Sequence, residues 1–253
     1  WAAERGERFD AAVVGEPTGM NVLRGCKGCL RFTFTALGVA AHSSTPELGR
    51  NAIVAMSEAV LALHTYFQTR LGSVRRPGFG CSTGSVGLVA GGTGINIVPE
   101  SCRASVDIRL LPGQRWEDTY AELQACVARG AVLSPEVRWD FEAAPFTDPA
   151  FEVGEDEPLV RAALAVVGQP RSAIAAYSCD ASKIAQAGFP CIVLGPGDIA
   201  LAHTGTESIG LDEIDAAVQH YAELVRRLLP PEGGAQAHRA RNGAGVSPTG
   251  DQP

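Results

Sequence analysis

Between residues 30 and 141 the hydrophobic period switches in a fixed order, and that order restricts the fold more than any single residue does. Residues 30–37 (Leu-Arg-Phe-Thr-Phe-Thr-Ala-Leu) alternate at period two, the pattern of a half-buried strand. Leu48, Ala52, Ala55, Met56, Ala59, Val60, Leu63 and Phe67 then recur at helical spacing, with Thr45 and Pro46 read as N-cap and first helical residue. A Gly/Pro/Arg loop covers 72–80. Strands are predicted near 82–90 and 101–110, joined through Gly91-Gly92-Thr93-Gly94. Pro112-Gly113 leads into a helix near 115–128, and 137–141 reads as another strand. Strand, helix, strand, strand, helix, strand is the ferredoxin-like βαββαβ order.

The flanking segments are of another kind. Residues 11–14 form a short apolar strand ending in Gly15-Glu16-Pro17-Thr18. Residues 191–194 form a second one, ending in Gly195-Pro196-Gly197 and reaching His203. Ligands of open α/β sheets bind just beyond the carboxyl ends of the strands. Glu16 and His203 are therefore expected to face one crevice. Helices are predicted near 157–167, from Asp180 to a stop at Gly188, and over 211–228. The last carries Leu211, Ile214, Val218, Tyr221, Val225 and Leu228 on one face and ends at Pro230-Pro231. The expected architecture is α/β: a mixed-sheet domain from 1–23 and 150–229, an inserted ferredoxin-like domain over 24–149, and a disordered tail over 230–253.

Composition narrows the function. The 253 residues are 45% hydrophobic and 19% charged, as in ordinary globular proteins. A net charge of −7 argues against nucleic acid or an anionic membrane as partner. No apolar run has the length of a membrane span. Seven cysteines, an odd number scattered in apolar runs, suit a reducing compartment, and the expected location is the cytoplasm. Cys26-Lys27-Gly28-Cys29 matches C-x-x-C but has no second pair and no nearby His, so a structural role is expected over a redox or metal one. The chain opens at Trp1 and its first Met is Met20, so a natural start is expected upstream.

Several motifs occur together in a telling order. They are Gly15-Glu16-Pro17-Thr18; Lys27-Gly28; Gly38 through Ser44 with Pro46 and Asn51-Ala52-Ile53; Gly91-Gly92 with Asn96-Ile97-Val98-Pro99; Asp107 through Gly113; and Gly195 through Asp198 with Ala202-His203-Thr204 and Glu207. This series, spread over residues 10–229, resembles the M20 metallopeptidase family. That family includes acetylornithine deacetylase, succinyl-diaminopimelate desuccinylase, aminoacylases and carboxypeptidases. The resemblance implies a zinc-peptidase-like catalytic domain with the inserted unit as lid and dimerisation domain. It implies two divalent metal ions, zinc first, with cobalt or manganese as alternatives. Glu16 resembles the carboxylate ligand of one metal and His203 the imidazole ligand of the other. His42 resembles the lid histidine that reaches across a dimer to the scissile carbonyl. Asn96, Arg109 and Gly195 resemble substrate-binding residues, Arg109 holding the substrate carboxylate. The chemistry agrees: His and Asn can stabilise an oxyanion, and guanidinium is the bidentate partner of a carboxylate. The implied substrate is a small N-acyl amino acid or peptide with a free carboxylate, and the implied assembly is a homodimer.

The chain also departs from the family. The usual His-x-Asp, bridging Asp and paired glutamates precede the Gly-Glu-Pro-Thr turn, and nothing in the fifteen residues before Glu16 matches them. A catalytic zinc needs about three protein ligands, so the site is expected to be incomplete here and the chain alone inactive. It reads as a fragment of a longer enzyme or a degenerate relative. Tyr177-Ser178-Cys179-Asp180 replaces the family's more usual Gly-Thr start. Two competing readings remain. Gly80-Cys81-Ser82-Thr83-Gly84 matches the G-x-S-x-G of serine hydrolases, which requires a strand before Ser82 and a helix after it. The other is a non-catalytic dimerisation or binding module.

Overall fold

The computed structural model describes residues 9–229, so the tail expected at 230–253 lies outside the described residues. The chain begins with β1 (Ala12–Val14), β2 (Leu23–Cys26), β3 (Gly28–Leu37) and β4 (Ala41–His42), then α1 (Ala52–Tyr66). Next come β5 (Arg75–Arg76), β6 (Gly80–Cys81), β7 (Thr83–Gly91), β8 (Ile97–Val98), β9 (Ser101–Leu110) and α2 (Trp116–Gly130). Then follow β10 (Arg138–Phe141), β11 (Phe146–Asp148), β12 (Phe151–Glu152), α3 (Pro158–Val167), β13 (Ala173–Ala175), α4 (Ala181–Gln186), β14 (Cys191–Val193) and α5 (Leu211–Leu228).

Two larger sheets divide these strands. The second runs β10-β3-β9-β7, all antiparallel, with β11 also on β3. With α1 and α2 this is the ferredoxin-like unit predicted from the periodicity. The period-two pattern sets its faces. Leu30, Phe32, Phe34 and Ala36 of β3 join Cys102, Ala104, Val106, Ile108 and Leu110 of β9 in one core with Ala55, Met56, Ala59 and Leu63 of α1 and Leu123 and Val127 of α2. The intervening residues face away from the helices, and there Arg31 meets Asp107 across the β3–β9 ladder.

The first sheet runs β1-β14-β2-β12, with β13 parallel to β2. β14 is apolar throughout because both its faces are covered. Cys191 and Val193 pack in a cluster with Ala181 of α4, while Ile192 packs with Leu159, Val160 and Ala163 of α3 and Leu224 of α5.

Three expectations at element level need correction. α1 starts at Ala52, not after Thr45: the Asn51 side chain accepts from the amides of Ile53 and Val54, whereas Thr45–Pro46 opens only a 3₁₀ turn without a side-chain cap bond. On α5 the buried line is Ala217, Tyr221, Leu224 and Leu228, which faces α3. Leu211, Val218 and Val225 belong to a second apolar stripe left 80%, 55% and 53% exposed. The loop at 72–80 contains the β5–β6 hairpin.

That hairpin ties the two sheets together. Glu152 on β12 accepts from Arg24 on β2 at 2.5 Å and from Arg76 on β5 at 2.6 Å. Phe79 at the hairpin turn is buried beside Gly25, and Lys27 donates to the Cys81 carbonyl at 2.7 Å. Burial alone would raise the Glu152 carboxyl, but the Arg24 and Arg76 guanidiniums outweigh it and hold the group below the usual carboxylate range. A depressed carboxylate contributes stability above its unfolded pKa of about 4.3, and that contribution is lost as pH falls through the folded value. Glu152→Gln should therefore be less stable than the parent in urea at about pH 7, with a smaller gap at about pH 3. A gap of equal size at both pH values would show that the ion pair does not couple to folding.

Candidate functional site

Two turns are fastened to each other at the carboxyl ends of the parallel strands β1 and β14. The Thr18 amide donates to the Gly195 carbonyl at 3.1 Å, and the Gly195 amide donates to Thr18 Oγ1 at 3.2 Å. Gly19 donates to Gly197 at 2.8 Å, and Met20 to Gly195 at 2.9 Å. The approach leaves no room for a side chain: a Cβ on Gly195 would collide with the Glu16 carbonyl oxygen and lie 2.7 Å from the Gly15 carbonyl carbon. Gly195, expected to bind substrate, thus has its polar groups engaged in holding the Glu16 turn.

Beyond Gly197 the chain enters a 3₁₀ turn, Ile199–Leu201, capped by the Asp198 side chain on the Ala200 amide. It reaches His203 with φ +64°, a left-handed conformation uncommon outside glycine. The Glu207 carboxylate accepts from the His203 amide at 3.1 Å and steadies this backbone. Strained backbone of this sort persists where the surroundings over-determine it and clusters at functional sites. The His203 side chain is exposed.

Glu16 is half-buried and has as a neighbour Tyr177, which the sequence marked only as the start of a departure from the family pattern. The Tyr177 hydroxyl is buried without a hydrogen-bond partner, and its pKa is pushed up to about 12 by burial first, then by Cys179, Glu16 and Cys26. It therefore stays protonated, a donor beside a carboxylate. A hydroxyl orphaned in this way suits a site that takes a further polar group. The donor types of Glu16 and His203 fit a zinc-like ion. Their number does not complete a site: among the described residues no group of three or more His, Cys, Asp or Glu could hold a metal ion.

The candidate residues of the inserted unit fall in two places: His42 and Asn96 lie near the Ser101 end of β9, and Arg109 lies at its other end, opposite Cys29. His42 on β4 is paired with Ile97 on β8, and the Ser43 amide donates to the Asn96 carbonyl at 3.0 Å, so His42 and Asn96 lie side by side, both exposed. Arg109 sits on β9 with its fork against Asp107, Nε at 2.8 Å and Nη2 at 3.1 Å. Nη1 takes no part in that pair.

The serine-hydrolase reading fails on geometry. Ser82 is 1% exposed, its hydroxyl donates to the Gln114 side chain, and the strand β7 follows it where a helix is required. The C-x-x-C pair is also divided: Cys26 ends β2 in the core of the first sheet, while Cys29 lies on β3, 4.0 Å from the Asp107 carboxylate. All seven cysteines are free.

Residues 24–133 match the peptidase dimerisation domain of the M20 family. Acetylornithine deacetylase of Vibrio vulnificus is 30% identical over 224 residues, covering 86% of this chain and 57% of that protein. Acetylornithine deacetylase of Edwardsiella ictaluri is 32% identical over 217 residues, covering 85% and 56%. The chain thus spans less than two thirds of the curated relatives it matches. Among solved structures, aminopeptidase PepT of Bacillus cereus superposes with a TM-score of 0.73 at 20% identity, covering 89% of this chain and 59% of the other. A Staphylococcus aureus tripeptidase gives 0.69 at 19% identity, covering 86% and 57%.

Gly195→Ala should cost about 1–3 kcal/mol, because backbone rather than a flexible side chain must move to admit the methyl group. Urea unfolding checks this, and an unchanged midpoint would mean that the two turns are not in contact.

Proposed function

Because this chain belongs to the M20 peptidase family, we propose that it carries the lid and the C-terminal part of the catalytic domain of a metal-dependent amide hydrolase. The substrate is an N-acyl amino acid or small peptide with a free carboxylate. Acetylornithine and succinyl-diaminopimelate are the leading candidates, and the names of the relatives favour the first. The observation that carries this reading is the fastening of the Glu16 turn to the Gly195 turn, with His203 held in a strained conformation a few residues on.

Glu16 and His203 are the metal-holding residues in this reading, for zinc or, with the same donors, cobalt or manganese. Bound metal would supply an activated water. The remaining ligands and the proton-accepting glutamate belong to polypeptide outside these 253 residues. The uncovered stripe of α5 supports this, since an apolar face of Leu211, Val218 and Val225 suits burial under further chain. The chain's own residues then bind and orient substrate. His42, beside Asn96, donates to the developing oxyanion in the site of a second copy. Arg109 offers Nη1 to the substrate carboxylate while Asp107 holds the rest of its fork. The Tyr177 hydroxyl gives one more donor near Glu16. Among the described residues no helix is long and apolar enough to cross a membrane, and the free thiols favour the cytoplasm as the working compartment.

A homodimer through the lid accompanies this function. β7 is the terminal strand of its sheet, and Leu88 and Val89 on it are 70% and 54% exposed. Ile53, Val54 and Leu61 are exposed on α1, which packs beside β7. A second reading, a dimerisation module without catalysis, is favoured by the same edge together with the short donor count.

Leu88→Lys should shift the chain from dimer to monomer in sedimentation experiments, because a charge on an edge strand blocks edge-to-edge pairing. A dimer that survives the change would move the interface elsewhere. Activity separates the two readings. Extended to the full length of its relatives, the protein should hydrolyse N-acetylated amino acids and stop on chelation. His42→Ala should then lower turnover by about a hundredfold or more, as on loss of an oxyanion donor, with metal content unchanged. A full-length protein that binds no metal and cleaves no amide would leave the dimerisation module as its function.

A further inference from the structure

The two ring nitrogens of His42 keep unequal company. Nδ1 lies 2.7 Å from Ser44 Oγ and accepts from the Ser44 backbone amide at 3.2 Å. An amide N–H can only donate, so Nδ1 must present its lone pair. In the neutral ring the single proton then belongs to Nε2. With that lone pair facing it, the Ser44 hydroxyl donates as well. Among the described residues no hydrogen bond engages Nε2.

The backbone that carries this arrangement is held on both sides. Ala41 and His42 pair with Val98 and Ile97, and the Ser43 amide is bonded to Asn96. The Thr45 amide donates to the His42 carbonyl at 3.0 Å. The ring itself is exposed, so no burial fixes its orientation. The Ser44 contacts are the hydrogen bonds that do.

We propose that Ser44 is a positioning residue that holds His42 in its Nε2–H tautomer, so that Nε2 meets a developing oxyanion as a donor. The inference rests on the reading of His42 given above. The opposite tautomer would turn a lone pair toward the oxyanion and repel it, so tautomer choice decides whether this histidine helps or hinders. Ser44 acts through His42 and needs no contact with substrate.

The test reads the tautomer directly in this chain. Two-bond proton–nitrogen correlation spectra of the labelled protein, recorded where the imidazole is neutral, should show His42 protonated at Nε2 and bare at Nδ1. Ser44→Ala keeps the amide but removes the hydroxyl, and should shift the tautomer ratio about threefold to tenfold toward Nδ1–H, the worth of one hydrogen bond. Ser44→Thr, which restores a hydroxyl, should restore the spectrum. In the full-length enzyme Ser44→Ala should lower kcat with KM and metal content unchanged, and Ser44→Thr should recover it. A parent His42 already averaged between tautomers, or a Ser44→Ala spectrum identical to the parent's, overturns the proposal. If the tautomer shifts as expected but His42→Ala leaves turnover intact, the Ser44 assignment stands and the oxyanion role of His42 falls.

Discussion

No methyl group fits at position 195, and much of the arrangement around the candidate site follows from that. The strands that bring the two turns together are each three residues long, with three residue pairs in register. So short a ladder cannot by itself fix where a turn beyond it points. Fixing it takes backbone contact past the strand ends, and the bonds from Thr18, Gly19 and Met20 to Gly195 and Gly197 provide this. The backbone that carries Glu16 is held by the β1–β14 ladder before it and by these bonds after it. His203, reached through a capped 3₁₀ turn, inherits the same rigidity.

The inserted unit is held by a different kind of contact. Its sheet joins the first sheet where Lys27 separates β2 from β3 and where the chain returns between Asp148 and Phe151. At Gly28 these crossings nearly touch, since a Cβ there would lie 2.7 Å from the Ala150 amide nitrogen. Two strands crossing at one point would make a hinge. The β5–β6 hairpin adds a third point of support through Phe79, Lys27 and the Arg24–Glu152–Arg76 group. Three supports resist rotation where two allow it.

The βαββαβ unit was legible because each of its elements is long enough to show a period, and its strand order β10-β3-β9-β7 is the one that pattern adopts. The turn containing Glu16 was legible from a motif. What the sequence hid was short or relational. β4, β5, β6, β8 and β12 have two residues each, too few for any alternation to register. The start of α1 was misread because Thr45-Pro46 carries the commoner helix-start signal, while the Asn51 bonds that decide it are visible only in three dimensions. α5 carries two apolar stripes, and sequence cannot say which of them has a neighbour to pack on. Tyr177 and Ser44 gain significance only from what surrounds them, an orphaned hydroxyl in one case and an imidazole nitrogen in the other.

The pairing of Ala12 with Cys191 also has a consequence in time. A strand near one end of the described chain must wait for a partner near the other, and the entropy of closing so long a loop opposes the encounter. The inserted unit contains its own partners, since β3, β9 and β10 pair among themselves without either end of the chain. Once formed, it draws residue 28 against residue 150 and shortens the effective loop between β1 and β14 to a third or so of its length. On a logarithmic closure cost that shortening amounts to about 1 kcal/mol. The closure cost therefore favours routes in which the inserted unit forms before the turn that carries Glu16 is pinned in place.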